Sequence, residues 1–183
     1  MNSVSSLLAV GTAILGFIWF TSYEGGKSIP RVRVEGSDGV IYVVNSPDEM
    51  EAVALLEEIN RRIHVLISHL PKSHILRKRY DPSNLAESPI HTNSSSWSVE
   101  KKKIFLCLRD RTTGGFYDAD VLFFVVVHEL AHLASKSYGH NDEFMKNFAN
   151  LKNLAASLRL MVIQPNISVP YCGTIIYDKN APS

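Results

Sequence analysis

The chain has almost no charge imbalance: 19 Lys and Arg stand against 18 Asp and Glu, for a net charge of +1 and a pI near 7.8. A protein built to hold a nucleic-acid backbone carries a marked basic excess, so this balance argues against that class of partner. Cysteine is equally scarce. Cys107 and Cys172 are the only two, and from sequence they can pair or stay free, so they define neither a disulfide framework nor a redox compartment. Charge is missing altogether between Asn2 and Tyr23, and residues 7–20 are almost wholly apolar. About 20 apolar residues are needed to cross a bilayer, which residues 4–23 just supply, with Trp19 and Tyr23 suited to one interface.

Neither a Lys nor an Arg precedes that stretch, and no small-x-small cleavage site follows Phe20. It therefore reads as a retained single-pass anchor over residues 1–23 rather than a cleaved signal peptide. The side of the membrane stays open. Lys27, Arg31 and Arg33 favour a cytoplasmic domain, while Asn93-Ser94-Ser95 and Asn166-Ile167-Ser168 match the glycosylation pattern of a lumenal one. Residues 24–29 form a linker, and residues 30–183 suffice for one domain with a real core.

What is present is more specific. In Val125-Val126-Val127-His128-Glu129-Leu130-Ala131-His132-Leu133, two histidines stand four apart. On an α-helix they share a face and can offer imidazole nitrogens to one metal ion. Glu129, one step round the helix, is placed to serve as a general base beside the metal rather than as a ligand. A catalytic zinc usually takes three protein ligands, so a third is required. His140 is the first choice, because Gly139 can adopt the left-handed conformation that turns the chain back toward the ion. Position 138 is Tyr rather than the His of the longer metzincin pattern, and residues 144–160 hold no acidic side chain. Asp142 and Glu143 are the remaining alternatives.

The string from His128 to His132, followed by Tyr138-Gly139-His140 and Phe144, resembles the compact zincins of the SprT and WLM (Wss1-like) groups, including membrane-anchored relatives in large DNA viruses. The segments Leu106-Cys107-Leu108-Arg109 and Tyr171-Cys172-Gly173-Thr174 are similar to the viral group as well. The resemblance covers roughly residues 85–177, and only the zinc motif is highly specific. It implies a zinc metallopeptidase with one Zn2+ per chain, ligated by His128, His132 and His140, with Glu129 as catalytic base and a polypeptide as substrate. The soluble DNA-repair members lack the apolar N-terminus seen here.

The expected fold class is α+β: an N-terminal transmembrane helix, then a compact zincin-like domain whose small sheet packs on the helix bearing His128 and His132. Residues 31–34 and 40–44 alternate as strands around Gly36-Ser37-Asp38-Gly39, which predicts a hairpin. Ser46 as N-cap, Pro47 at the first helical position and Glu49 predict a helix start. Leu56, Ile59, Ile63, Leu66 and Leu70 continue its apolar face until Pro71. Residues 72–98 read as a surface loop, residues 103–109 as a strand and Asp118 as the cap of the metal-binding helix. The resemblance to zincins implies that this strand borders the substrate cleft, with an exposed edge to which an extended peptide adds. A last helix over 142–158 should cover it, with Phe144, Phe148, Leu151 and Leu154 or Ala155 inward.

In that scheme the ion activates water and polarises the scissile carbonyl, while Glu129 moves the proton to the leaving amine. Tyr138, Tyr171 and Tyr177 are open candidates for stabilising the oxyanion. Two alternatives accompany the peptidase reading. One is a DNA-dependent protease or nucleic-acid-binding zinc protein, using Arg61, Arg62, Lys72, Arg77, Lys78, Arg79 and Lys101-Lys102-Lys103. The other is an inactive interaction protein that keeps the fold.

Overall fold

The computed structural model describes residues 30–90, 96–162 and 168–177. These form a mixed α+β arrangement. Strands β1 (Arg31–Glu35) and β2 (Ile41–Asn45) pair antiparallel as the expected hairpin. Helix α1 (Glu49–Ser68) follows, with Leu56, Ile59, Ile63 and Leu66 fully buried along one face. Its start differs from the expectation on Ser46 and Pro47. Asp48 is left-handed at φ 70, which ends helical geometry on its N-terminal side, so Glu49 is the first helical residue. The Asp48 carboxylate meets Arg109 at 3.4 Å instead of capping the helix.

The segment read as a surface loop carries more structure than its composition suggests. It contains the short helix α2 (Leu76–Arg79), a 3-10 turn (Pro82–Asn84), strand β3 (Leu85–Glu87) and the start of strand β4 (Trp97–Val99). Strand β5 (Lys103–Leu106) lies between them, parallel to β3 and antiparallel to β4. Hence β5 is the central strand, and its expected exposed edge is taken by β4. All three β3 residues are buried, Glu87 included. Its carboxylate accepts from Arg109 Nε at 3.0 Å and from the Asn45 backbone at 2.7 Å, which ties the first hairpin to this sheet and compensates the buried charge.

Helix α3 (Ala119–Ala134) carries the paired histidines and packs against α1, against α4 (Asp142–Ser157) and against the sheet. Asp118 caps α3 by accepting from the Asp120 N–H at 2.7 Å, as expected. Asn141 does the same for α4 through the Phe144 N–H. Along α4 the buried inner positions are Phe144, Phe148, Leu151 and Ala155, with Leu154 only partly covered.

The last element among the described residues is a hairpin, β6 (Ser168–Tyr171) and β7 (Thr174–Tyr177). A disulfide joins Cys172 in its turn to Cys107 just beyond β5, with a Cα–Cα distance of 6.4 Å. The pairing left open by sequence is thereby decided. Tyr171 supports the same junction, its ring 4.9 Å from that of Tyr117.

The localisation expected from the apolar N-terminus is corrected. No helix among the described residues is long and apolar enough to cross a membrane. The longest, α1, has 20 residues but carries Glu49, Glu51, Glu57, Glu58, Arg61 and Arg62, charges that a bilayer core does not accept. The predicted anchor over residues 1–23, the linker 24–29 and the asparagines Asn93 and Asn166 lie outside the described residues.

Candidate metal centre

Helix periodicity delivers the first two imidazoles. His128 and His132 are one turn apart on α3 with ring centroids 4.9 Å apart, both half-buried in the floor of a cleft rather than in the interior. His140 arrives from the connection between α3 and α4, where Gly139 is left-handed at φ 82 as anticipated. Its ring lies 4.9 Å from each of the other two, and its Nε2 is 3.1 Å from His128 Nε2. One nitrogen from each ring falls within 4.8 Å of the others, so the three can converge on a single ion.

The connection that presents His140 is held by polar contacts concentrated on Ser135, Lys136 and Ser137. Glu143, in the first turn of α4, accepts from the backbone N–H of Lys136 and Ser137 and from the Ser137 hydroxyl. Those bonds, the one from Lys136 foremost, hold its carboxylate below the usual range. Glu143 is thus a staple of the loop, and neither it nor Asp142 joins the imidazole cluster. Asn141 donates to the Ser137 hydroxyl at 2.6 Å and Asn147 to the Ser135 hydroxyl at 3.0 Å. Beneath the triad, the Phe144 ring contacts all three histidines, with centroids 4.9, 4.3 and 4.6 Å from His128, His132 and His140. The side chain read as core packing is also the wall that fixes the rings.

Glu129 points into the wall of the cleft and is 5% exposed. Burial raises its pKa to about 7, against a smaller lowering by a hydrogen bond to Ser98. Burial also lowers His128 to about 3 and His132 to about 4, each helped by neighbouring imidazole charge. Both rings are therefore neutral at physiological pH, the state in which imidazole binds a metal.

The cleft has a volume of about 320 Å³. Its floor is His128, His132 and His140; one wall is Glu129 with Trp97 and Ser98 from the edge strand and Ser96 just before it; its rim is Lys101 and Tyr138. Trp97 is braced from behind by stacking on Phe105 at 5.0 Å. The wall and Lys101 are the cleft-lining residues that sequence reasoning missed. A three-residue strand shows too little alternation to stand out from a Ser-rich stretch.

No family model matches the chain. Uncharacterized protein R325 of Acanthamoeba polyphaga mimivirus is 28% identical over 183 residues, spanning 92% of this chain and 93% of that one. Uncharacterized protein 136R of Invertebrate iridescent virus 6 is 30% identical over 116 residues, 58% of this chain and 64% of its own length. Among solved structures, Wss1 from Saccharomyces cerevisiae superposes with a TM-score of 0.51 at 21% identity, covering 62% of this chain and 84% of that one. The fold is similar to that of Wss1. At this identity the likeness concerns architecture, and the chemistry rests on the residues themselves.

Among the three oxyanion candidates, Tyr138 is 82% exposed at the rim of the cleft. Tyr171 is 1% exposed, with its hydroxyl 2.7 Å from Ser96 Oγ, so it supports the wall from behind. The Tyr177 side chain lies outside the described residues. The cationic residues grouped by sequence are largely occupied within the fold. Arg61 and Arg62 pair with Glu58, Arg62 also with Asp120, while Arg77, Arg79 and Lys101 donate to backbone carbonyls.

Proposed function

We propose that this chain is a zinc-dependent peptidase of the Wss1-like zincin type, hydrolysing peptide bonds without a covalent intermediate. The observation that carries the reading is the convergence of His128, His132 and His140 beside a buried Glu129 in a cleft bordered by a sheet edge. Three imidazoles converging on one open face suit zinc, which in catalytic sites takes three protein ligands and leaves a position free. Resemblance of the motif to Wss1-like zincins and likeness of fold to Wss1 support the same assignment.

Zinc held by the three imidazoles supplies a Lewis acid that polarises a carbonyl and acidifies water. Glu129, buried beside the imidazoles, would accept a proton from the attacking water and return it to the leaving amine. The Ser98 hydroxyl orients that carboxyl. Strand β4 is the outer strand of its sheet, without a ladder partner on its far side among the described residues. An extended polypeptide can add there through backbone hydrogen bonds, bringing a peptide bond over the histidines with little demand on its sequence.

Elemental analysis of the purified chain beside His140→Ala tests the proposal. One zinc per wild-type chain, sharply reduced in the variant, is the expected result. A folded wild type that stays metal-free under zinc-replete conditions would refute the peptidase reading and leave a zincin-fold interaction protein.

A further inference from the structure

Lys101 occupies an unusual place. Glu100 and Lys101, in the turn between β4 and β5, are both left-handed, with φ 51 and 54. Only a small minority of non-glycine residues adopt this conformation. The turn carries the Lys101 side chain across the cleft, where its ammonium donates to the carbonyls of Ser135, Lys136 and Ser137. It lies over the Tyr138 ring at 4.7 Å from the centroid. An ammonium has three donors, and all three are matched here. The acceptors begin where α3 ends and run toward His140, so a cation also answers the negative end of the helix.

From this geometry we propose that Lys101 is the positioning residue of the metal centre, clamping three consecutive carbonyls so that the loop presents His140 to His128 and His132. The inference rests on the metal-centre reading above and adds a residue from the opposite wall. It makes the edge strand and the third-ligand loop one mechanical unit, because the same turn ends β4 and holds residues 135–137.

The sign of the effect separates positioning from charge. Lys101 and His132 line the same cleft, so the ammonium's charge opposes a cation held there. Removing that charge alone would tighten binding of a divalent cation, whereas loosening the His140 loop would weaken it.

The experiment is zinc affinity by chelator competition on the full chain, for wild type, Lys101→Met and Lys102→Met, with the melting temperature of each metal-free protein recorded. Lys102 is exposed and serves as the charge control. The expected result is a roughly 10- to 100-fold weaker zinc affinity for Lys101→Met, the scale of outer-shell losses at metal sites. Lys102→Met should match wild type. If Lys101→Met does not fold, Lys101→Gln carries the test, with a loss of about three- to tenfold expected because its amide keeps two of the three donors. Unchanged or tighter binding in whichever Lys101 variant folds overturns the proposal, as does an equal loss in Lys102→Met. A wild type that binds no zinc overturns the metal-centre reading instead, so the two failures are distinct.

Discussion

Two imidazoles of the candidate site come from a helix and one from a loop, and the two sources are secured differently. For His128 and His132 the spacing is a property of the α-helix, and the work of the surrounding structure is to stabilise α3 through its Asp118 cap and its buried apolar run. For His140 no local rule sets the distance. Seven residues, 135–141, join α3 to α4, and their path is held by Lys101, Arg79, Glu143 and Asn147 acting on individual backbone and hydroxyl groups, and by Asn141 donating to Ser137. The lesson is that damage to the helix should register as stability, and damage to the loop as metal affinity.

The largest expected effect falls on chemistry borne by the helix. Glu129→Gln should lower peptide turnover by about 10²- to 10⁴-fold while leaving one zinc per chain, because the general base is lost and the imidazoles are untouched. Near-normal turnover in that variant would remove Glu129 from the mechanism. Next comes the covalent staple at the far end of the sheet. Cys172→Ser opens a link between residues 65 apart and should cost about 2–4 kcal/mol in denaturant unfolding. An unchanged unfolding midpoint would mean that packing around Tyr171 alone holds the last hairpin.

The loop and the cap then give the direct contrast. Glu143→Ala removes the staple from Lys136 and Ser137 and should weaken zinc roughly tenfold with little change in the melting temperature of the metal-free protein. Asp118→Ala should do the reverse, lowering stability by about 1 kcal/mol with zinc affinity unchanged. If both variants shift both quantities alike, the division between helix and loop fails.

A separate effect concerns pH in the absence of metal. Folding holds His128 and His132 neutral, so between the ordinary carboxylate and imidazole values the unfolded chain carries roughly two more protons on these rings. Glu129, raised to about 7, works oppositely and keeps one proton that the unfolded chain releases. The net contribution of the site is therefore a rise in stability as pH increases from about 4.5 to 6.5. Unfolding titrations of metal-free wild type and Glu129→Gln should show the steeper rise in the variant, whose amide cannot hold that proton. A shallower rise would contradict the assigned directions.

Much of the site was legible because its strongest signals lie within single elements. The His128–His132 spacing, the Asp118 cap, Gly139 ahead of His140 and the apolar face of α4 are each readable within a short window, and each is found where the window put it. The misreadings share a cause. Strands β3 and β4 have three residues each, too few for a periodic signature, and they exist because β5 offers a partner on both sides. Ser46 and Pro47 formed a sound local start signal, yet Asp48 turned to Arg109 across the fold and the helix began after it. Lys101 was grouped with its basic neighbours because sequence records charge and not what the charge meets.

The sequence by itself determined that two imidazoles would share a helix face with a carboxylate beside them, since 3.6 residues per turn leaves no other arrangement. Only the tertiary structure decided that His140 rather than Asp142 or Glu143 completes the cluster, that Glu129 is buried enough to be held near neutrality, and that Cys107 meets Cys172. Each of these depends on groups distant along the chain coming within a few ångströms, a matter of packing that no local periodicity encodes.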